Sequence, residues 1–319
     1  MVIPTIGRPS LEAAVASALD QRSVCTEVHV VADAPTATLQ SLGLANAGER
    51  VHLHVTGGGA GGGGARQLGT ERARLPWLAY LDDDDVWLPD KLAIQLAAAD
   101  SVATGGTPIA PAVPIVSCRI MSRPKDGAPG VVVPRDLYER GDIESYLFRK
   151  RRLSASRNTL QTSTLVLPTA LARAVGWDRS LTRHQDWDFI SRATRVAGVR
   201  LVQVGDVLVE LGVGSAGSLS AGADWRASLD WAAANAGVWP RPAFADFVAG
   251  QPLRYALQCR SWRGVSASMS TLARHRVVPS LGAVALGLSG VLGRPAFERA
   301  MHARAGRPVD SPKVQPWSA

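Results

Sequence analysis

Four consecutive carboxylates, Asp82, Asp83, Asp84 and Asp85, end an apolar run that begins at Trp77 and are followed by Val86-Trp87-Leu88-Pro89. Two carboxylates about 4 Å apart repel by about 4 kcal/mol at an effective dielectric of 20. A row of them at the end of a strand therefore calls for a cation. Oxygen-only donors suit Mg²⁺ or Mn²⁺, which keep waters and share phosphate oxygens with a substrate. The plain alternative is a solvated acidic turn capping the next helix, which Pro89 opens and Leu92, Leu96 and Ala97 continue. A second acidic site lies in His184-Gln185-Asp186-Trp187-Asp188-Phe189, at the opening of another helix. There the helix dipole stabilises carboxylates whether or not they do chemistry.

Two further segments have residue types that could meet a ligand. Gly57 to Gly64 holds seven glycines and one alanine and leads into Ala65-Arg66-Gln67-Leu68. Glycines let backbone approach a ligand closely, and a helix N-terminus favours anions. No Gly-Lys-Ser/Thr follows, so it is not a Walker loop; a surface loop is the alternative. Arg149 to Arg152, with Arg157, form the densest basic cluster, open to a solvated or a phosphate-binding reading. His52 and His54 share a strand face with no carboxylate near in sequence, which favours a packing role.

The elements that must position these residues alternate strand and helix. Met1 to Pro4, Glu27 to Ala32, Val51 to Val55 and Trp77 to Leu81 have strand character. Helices are expected after Ser10, over Pro35 to Ala45, after Gly64 and after Pro89. This β-α-β series is a doubly wound parallel pattern, whose ligand crevice lies at the carboxyl ends of the strands. Beyond it we expect a strand over Val113 to Ile120 and a loop from Arg123 to Pro134. A helix over Tyr138 to Phe148, a strand over Gln161 to Pro168 and a helix over Thr169 to Val175 come next. Val199 to Val204 and Val207 to Leu211 close the sheet region, and helices run from Ala223 onward.

Length and composition, 319 residues with 46% hydrophobic content, allow one large domain with an appendage. Of the net charge of +8, most belongs to the last part: residues 221–319 hold 12 Lys+Arg against 5 Asp+Glu. Such a surplus could face phosphate groups or an anionic membrane. No helix-turn-helix, zinc-finger or RNA-binding signature accompanies it, so nucleic acid is not expected. Cys25, Cys118 and Cys259 are odd in number and far apart, which fits a reducing compartment. The chain opens directly into Val2-Ile3-Pro4-Thr5 without a signal-peptide pattern, and a cytoplasmic location is expected. The apolar run Val277 to Leu292 is shorter than the ~20 residues a bilayer crossing needs.

Five segments, in this order, resemble the family 2 glycosyltransferases of the GT-A fold. Val2-Ile3-Pro4-Thr5 resembles that family's opening strand, and Asp33 stands where it has an aspartate pair after the second strand, the first of the pair being Ala32 here. Gly64-Ala65-Arg66-Gln67-Leu68-Gly69 is similar to its "ARNxG", with Gln67 in place of Asn. Leu81 to Trp87 matches the "LDxDDxW" form of its D-x-D motif. Gln185-Asp186-Trp187-Asp188 resembles "EDWDL", with Gln185 departing from Glu.

The resemblance covers about residues 2 to 220 and implies an α/β fold with a Rossmann-like, mostly parallel sheet. It implies a GT-A domain over 1–220, with a nucleotide-sugar half at 1–120 and an acceptor half at 121–220. A helical region over 221–305 and a disordered tail over 306–319 would follow. It further implies a metal-dependent, inverting enzyme taking a nucleotide-sugar donor, a UDP-sugar foremost, and a glycan, glycolipid or small-molecule acceptor. Asp84 and Asp82 would hold Mg²⁺ or Mn²⁺. Pro4, Thr5, Asp33, Arg66, Asp82 and Asp83 would line the donor site, and Asp186 would be the general base, with Gln185 and Trp187 on the acceptor side. The rivals are a sugar-phosphate nucleotidyltransferase, for which only Gly7-Arg8 is available after the first strand, and a non-catalytic nucleotide-sugar or carbohydrate-binding protein. The basic C-terminal part leaves two readings open: a solvated helical appendage, or a surface held at the inner face of an anionic membrane.

Overall fold

The computed structural model describes residues 1–35, 44, 48–104, 112–123, 130–150, 158–212 and 222–292. The helix expected over Pro35 to Ala45, the basic residues 151–157 and the tail 306–319 lie largely or wholly outside them.

Val2–Thr5 (β1) is followed by Leu11–Leu19 (α1), whose Leu11, Ala14, Val15 and Ala18 are buried, the i, i+3, i+4, i+7 stripe expected of a covering helix. Val28–Ala32 (β2) and Val51–Val55 (β3) complete a parallel sheet in the order β1-β2-β3. Gly61–Arg72 (α2) starts inside the glycine run rather than after it. It lies so close to β1 that a Cβ on Gly69 would collide with Val2. Trp77–Ala79 (β4) follows, and a parallel bridge from Tyr80 to Val2 ties it to β1.

The remaining strands make a second sheet. In chain order come Val86–Trp87 (β5), Lys91–Thr104 (α3), Val113–Arg123 (β6), Val131–Val133 (β7), Ile143–Phe148 (α4), Val166–Pro168 (β8), Thr169–Val175 (α5), Gln185–Ala193 (α6) and Val199–Gly212 (β9). The sheet order is β4-β8-β6-β9-β5, with β7 on β6, and β6–β9 is its parallel pair. The parallel character read from the sequence thus resides in β1–β3 and β6–β9, while the short connecting strands pair antiparallel. Two segments expected as separate strands run together as β9. The segment expected as loop includes β7, too short for its alternation to register.

Helices Trp225–Asn235 (α7), Arg241–Gly250 (α8), Pro252–Gln258 (α9), Trp262–Arg274 (α10) and Leu281–Leu288 (α11) follow. They share a hydrophobic core with α4 and α6. The Phe148 ring lies 4.9 Å from Phe247 and 5.1 Å from Trp239, and Trp231 lies 4.6 Å from Trp239. Among the described residues no helix is long and apolar enough to cross a membrane.

Candidate active site

The chain turns at the acidic row, and the Asp85 amide closes the turn on the Asp82 carbonyl at 3.1 Å. The turn sorts the four carboxylates. Asp83 is 2% exposed and accepts from Thr5 Oγ1 at 2.6 Å and Arg8 Nη1 at 2.5 Å. Asp85 is also buried and accepts from Ser163 Oγ at 2.5 Å and the Gly212 amide at 3.1 Å. Burial pushes the Asp85 carboxyl well above the usual range, and repulsion from Asp82 and Asp84 adds to it. The end of β9 comes so close that a Cβ on Gly212 would strike the Asp84 carbonyl. Asp82 and Asp84 are left partly exposed.

Arg66, on the second turn of α2, faces this row. It is buried, and its guanidinium donates from Nη2 to Asp82 Oδ1 at 2.5 Å and from Nη1 to Gln185 Oε1 at 3.0 Å. Its Cζ stands 5.2 Å from the centre of the Trp177 ring. Burial opposes its charge, but the Asp82 carboxylate outweighs that, so the guanidinium stays firmly protonated.

The start of α6 supplies the opposite wall. His184 takes a left-handed conformation (φ 59°), and its Nε2 lies 2.8 Å from Ser228 Oγ. Burial lowers its pKa to about 3, so the ring is neutral. Asp186, half-buried, has its carboxyl pushed up to about 6 by burial; Arg66 opposes the shift and Asp82 adds to it. Asp188 serves the structure. It accepts from Arg192 Nε at 2.8 Å and from Trp231 Nε1 at 3.1 Å, joining α6 to α7. The Trp187 ring stacks on His184 (4.9 Å, 8°) and meets Phe148 and Phe247 edge-on, so the His184 side of the ring is committed to packing.

Asp33 and Pro4 stand at the neighbouring strand ends. Asp33 Oδ1 accepts from Thr56 Oγ1 at 2.5 Å and the Ala60 amide at 2.9 Å, and Oδ2 from the Gly61 amide at 2.8 Å. Burial acts the other way, but these bonds hold its carboxyl below the usual carboxylate range. They also satisfy amides at the start of α2, which explains how a helix begins among glycines that cost ~1 kcal/mol each in helical conformation. Pro4, in β1, is buried opposite Val31.

Sequence reasoning missed Arg8, Ser163 and Gly212, which shape the acidic turn from 75, 78 and 127 residues away. No local pattern marks such partners. It also left His52 and His54 without a carboxylate, whereas the fold brings up His29 and Glu27: His29 Nδ1 lies 3.0 Å from His54 Nε2, and His52 Nε2 lies 2.9 Å from Glu27 Oε1. These rings are spent on one another.

Among the described residues no cluster of three or more His, Cys, Asp or Glu is arranged to enclose a metal ion. The acidic turn instead offers two partly exposed hard carboxylates, Asp82, which Arg66 holds, and Asp84. That donor set fits Mg²⁺ or Mn²⁺, which are commonly held by one or two carboxylates together with substrate phosphates.

Residues 1–124 match the family model described as glycosyl transferase family 2. The amylovoran biosynthesis glycosyltransferase AmsB of Erwinia amylovora is 27% identical over 272 residues, covering 82% of this chain and 85% of AmsB. The crystal structure of S. aureus TarS 1–349 in complex with UDP-GlcNAc superposes with a TM-score of 0.61 at 14% identity, covering 95% of this chain and 88% of that one. Against a longer TarS crystal chain, this chain spans 54% of the length. The mannosyltransferase PcManGT of Pyrobaculum calidifontis, in complex with GDP-Man and Mn²⁺, superposes with a TM-score of 0.50 at 18% identity, covering 95% and 83% of the two chains.

Proposed function

Because the chain is a family 2 glycosyltransferase with the GT-A fold, we propose that it moves a sugar from a nucleotide-sugar donor to an acceptor hydroxyl with inversion, in the assembly of a polysaccharide. AmsB, named for amylovoran biosynthesis, supports the polysaccharide acceptor, and the complexes of TarS with UDP-GlcNAc and of PcManGT with GDP-Man and Mn²⁺ support the nucleotide-sugar donor. The observation that carries the reading is the Arg66 bridge, which brings the acidic turn and the start of α6 to one site.

In this reading Asp186 accepts the proton of the acceptor hydroxyl as it attacks the anomeric carbon. A carboxyl raised to about 6 is both ionised at neutral pH and basic enough to take a proton. One displacement inverts the centre without a covalent enzyme intermediate. Arg66 holds Asp82 and Gln185 in place so that the donor and acceptor sides keep one geometry. Asp33 Oδ2, with one amide on it, retains a lone pair for a base N–H, and Pro4 and Thr5 form the adjoining floor at the end of β1. Asp83 acts on the donor by fixing Thr5 and Arg8 beneath it. Asp84 and Asp82 would hold a Mg²⁺ or Mn²⁺, whose charge offsets that developing on the departing diphosphate. The protein works in the cytoplasm, where nucleotide-sugars are at hand.

A screen of UDP-, GDP- and dTDP-sugars for cation-dependent donor hydrolysis and thermal stabilisation tests this. One donor that stabilises the fold only with Mg²⁺ or Mn²⁺, and is slowly hydrolysed, is the expected result. Indifference to every nucleotide-sugar in both assays would overturn it.

A further inference from the structure

From Phe247 to Leu292 the chain holds five arginines and no aspartate or glutamate. Within this stretch α11 is packed inside out. Its small residues face the protein: Gly282, Ala283 and Gly287 are buried, and a Cβ on Gly287 would collide with the Ala249 carbonyl of α8. Leu281, Ala285 and Leu288 recur at i, i+4 and i+7, one face of α11, and all three are exposed, Leu281 by 84%, while Leu286 turns in against Gly250. Leu292, in the 3-10 turn that follows, is exposed as well. Val278, 88% exposed, precedes this stripe, and Val291 lies beside its end. Trp262 on α10 is 79% exposed, and Met269 is exposed one helical face along. A helix whose outer face meets only water carries polar residues there. Apolar surface gathered in this way marks a place of interaction.

We infer that the exposed face of α11, together with the arginines that lead into it, docks on an anionic lipid surface. The leucine stripe would enter the boundary between headgroups and acyl chains, while Arg274 and Arg276, both exposed, meet the lipid phosphates. Charge decides for lipid over a second protein of ordinary surface. Arg274 and Arg276 stand within seven residues of Val278 and Leu281, and no acidic side chain in the stretch opposes them. Length decides for lying on the bilayer rather than crossing it, since α11 has 8 residues against the ~20 of a span. Beneath α11, α9 reaches the segment that leads into α6: Tyr255 accepts from Arg183 Nη2 at 3.1 Å, three residues before Asp186. Docking itself does not rest on the catalytic reading, but with it the site would face a lipid-linked acceptor.

The test is sedimentation of the full chain with vesicles of phosphatidylcholine alone or with phosphatidylglycerol. Binding should favour the anionic vesicles at 0.1 M salt and fade at 1 M, as the Debye length falls from about 10 Å to about 3 Å. Arg274→Glu with Arg276→Glu should weaken partitioning about tenfold or more, since each basic residue near the surface contributes about 1 kcal/mol. Leu281→Ser with Leu288→Ser should weaken it at both salts while leaving melting temperature and donor hydrolysis unchanged, because both side chains are exposed. Equal pelleting with neutral and anionic vesicles, or none with either, overturns the inference. So does a dimer seen by light scattering that the serine pair dissolves, which would assign the face to a second copy. Donor hydrolysis is read separately, so loss of one reading leaves the other standing.

Discussion

Arg66 and Gln185, 119 residues apart in the chain, are hydrogen-bonded at 3.0 Å, and the same guanidinium holds Asp82 at 2.5 Å. A buried arginine presents several donors in a rigid fork, so two partners on different elements fix its plane, and it in turn fixes them. Gln185, where the resemblance leads one to expect Glu, has a physical reading here. The guanidinium already has one carboxylate, and a neutral acceptor takes a second of its donors without adding charge beside Asp82.

Arg66→Ala should therefore act on both sides of the site. It leaves Asp82 and Gln185 without their donor, and we expect a stability loss of about 2 kcal/mol, moderated because Asp82 is partly exposed. A double-mutant cycle with Asp82→Ala, followed by denaturant unfolding, should return a coupling of about 1 kcal/mol. Strict additivity would mean that the pair contributes nothing.

Asp84→Ala should abolish transfer and remove the cation dependence of donor binding while costing little stability, because its side chain is partly exposed. Calorimetric titration of donor with Mn²⁺ and with chelator measures this. Wild-type turnover in chelator would place the site elsewhere.

Asp186→Asn should lower turnover by about 10² to 10⁴, the usual worth of a general base, with donor affinity within a few fold. In the native enzyme kcat/KM should rise with pH through about 6, as the carboxyl loses its proton, and level off above. The sign for stability is the reverse. A folded-state pKa raised above the unfolded value means that ionising Asp186 costs the folded protein stability as pH climbs from about 4 to 6. The asparagine variant, spared that cost, should melt no lower than the native protein at pH 7. A clear drop in melting temperature would instead mark Asp186 as a helix cap.

Asp85 separates the structural carboxylates from the chemical ones. Asp85→Ala strands the Gly212 amide and the Ser163 hydroxyl in a buried turn, for a loss of about 1–3 kcal/mol. Asp85→Asn keeps an acceptor without a charge that burial disfavours, and should melt at or above the native temperature at neutral pH without added metal. Thermal melts of the two variants should differ in sign.

Trp231→Ala removes a ring packed against Trp239, Phe148 and Phe247 together with the donor to Asp188, and should cost about 3–5 kcal/mol. Because that core is shared by the sheet region and the C-terminal helices, calorimetry should show one unfolding transition for both. Two separate transitions would make them independent domains.

The amino-acid sequence by itself determined what depends on short range. Period-2 and period-3.6 patterns located β1 to β3, α1, α5 and α6, and the residue types at 82–85 and 184–188 marked both carboxylate sites. Only the tertiary structure decided which carboxylates stay partly exposed. Asp83 and Asp85 are drawn inward by Thr5, Arg8, Ser163 and Gly212. Four adjacent aspartates are equivalent until partners from other elements of the chain sort them, burying Asp83 and Asp85 while Asp82, paired with Arg66, and Asp84 stay partly exposed. Burial likewise depends on long-range packing, so the raised carboxyl of Asp186 could not be read locally. The same holds for α11, whose sequence is apolar all round. Which face turns outward was decided by glycines that let one side reach the backbone of α8, leaving Leu281 and Leu288 exposed.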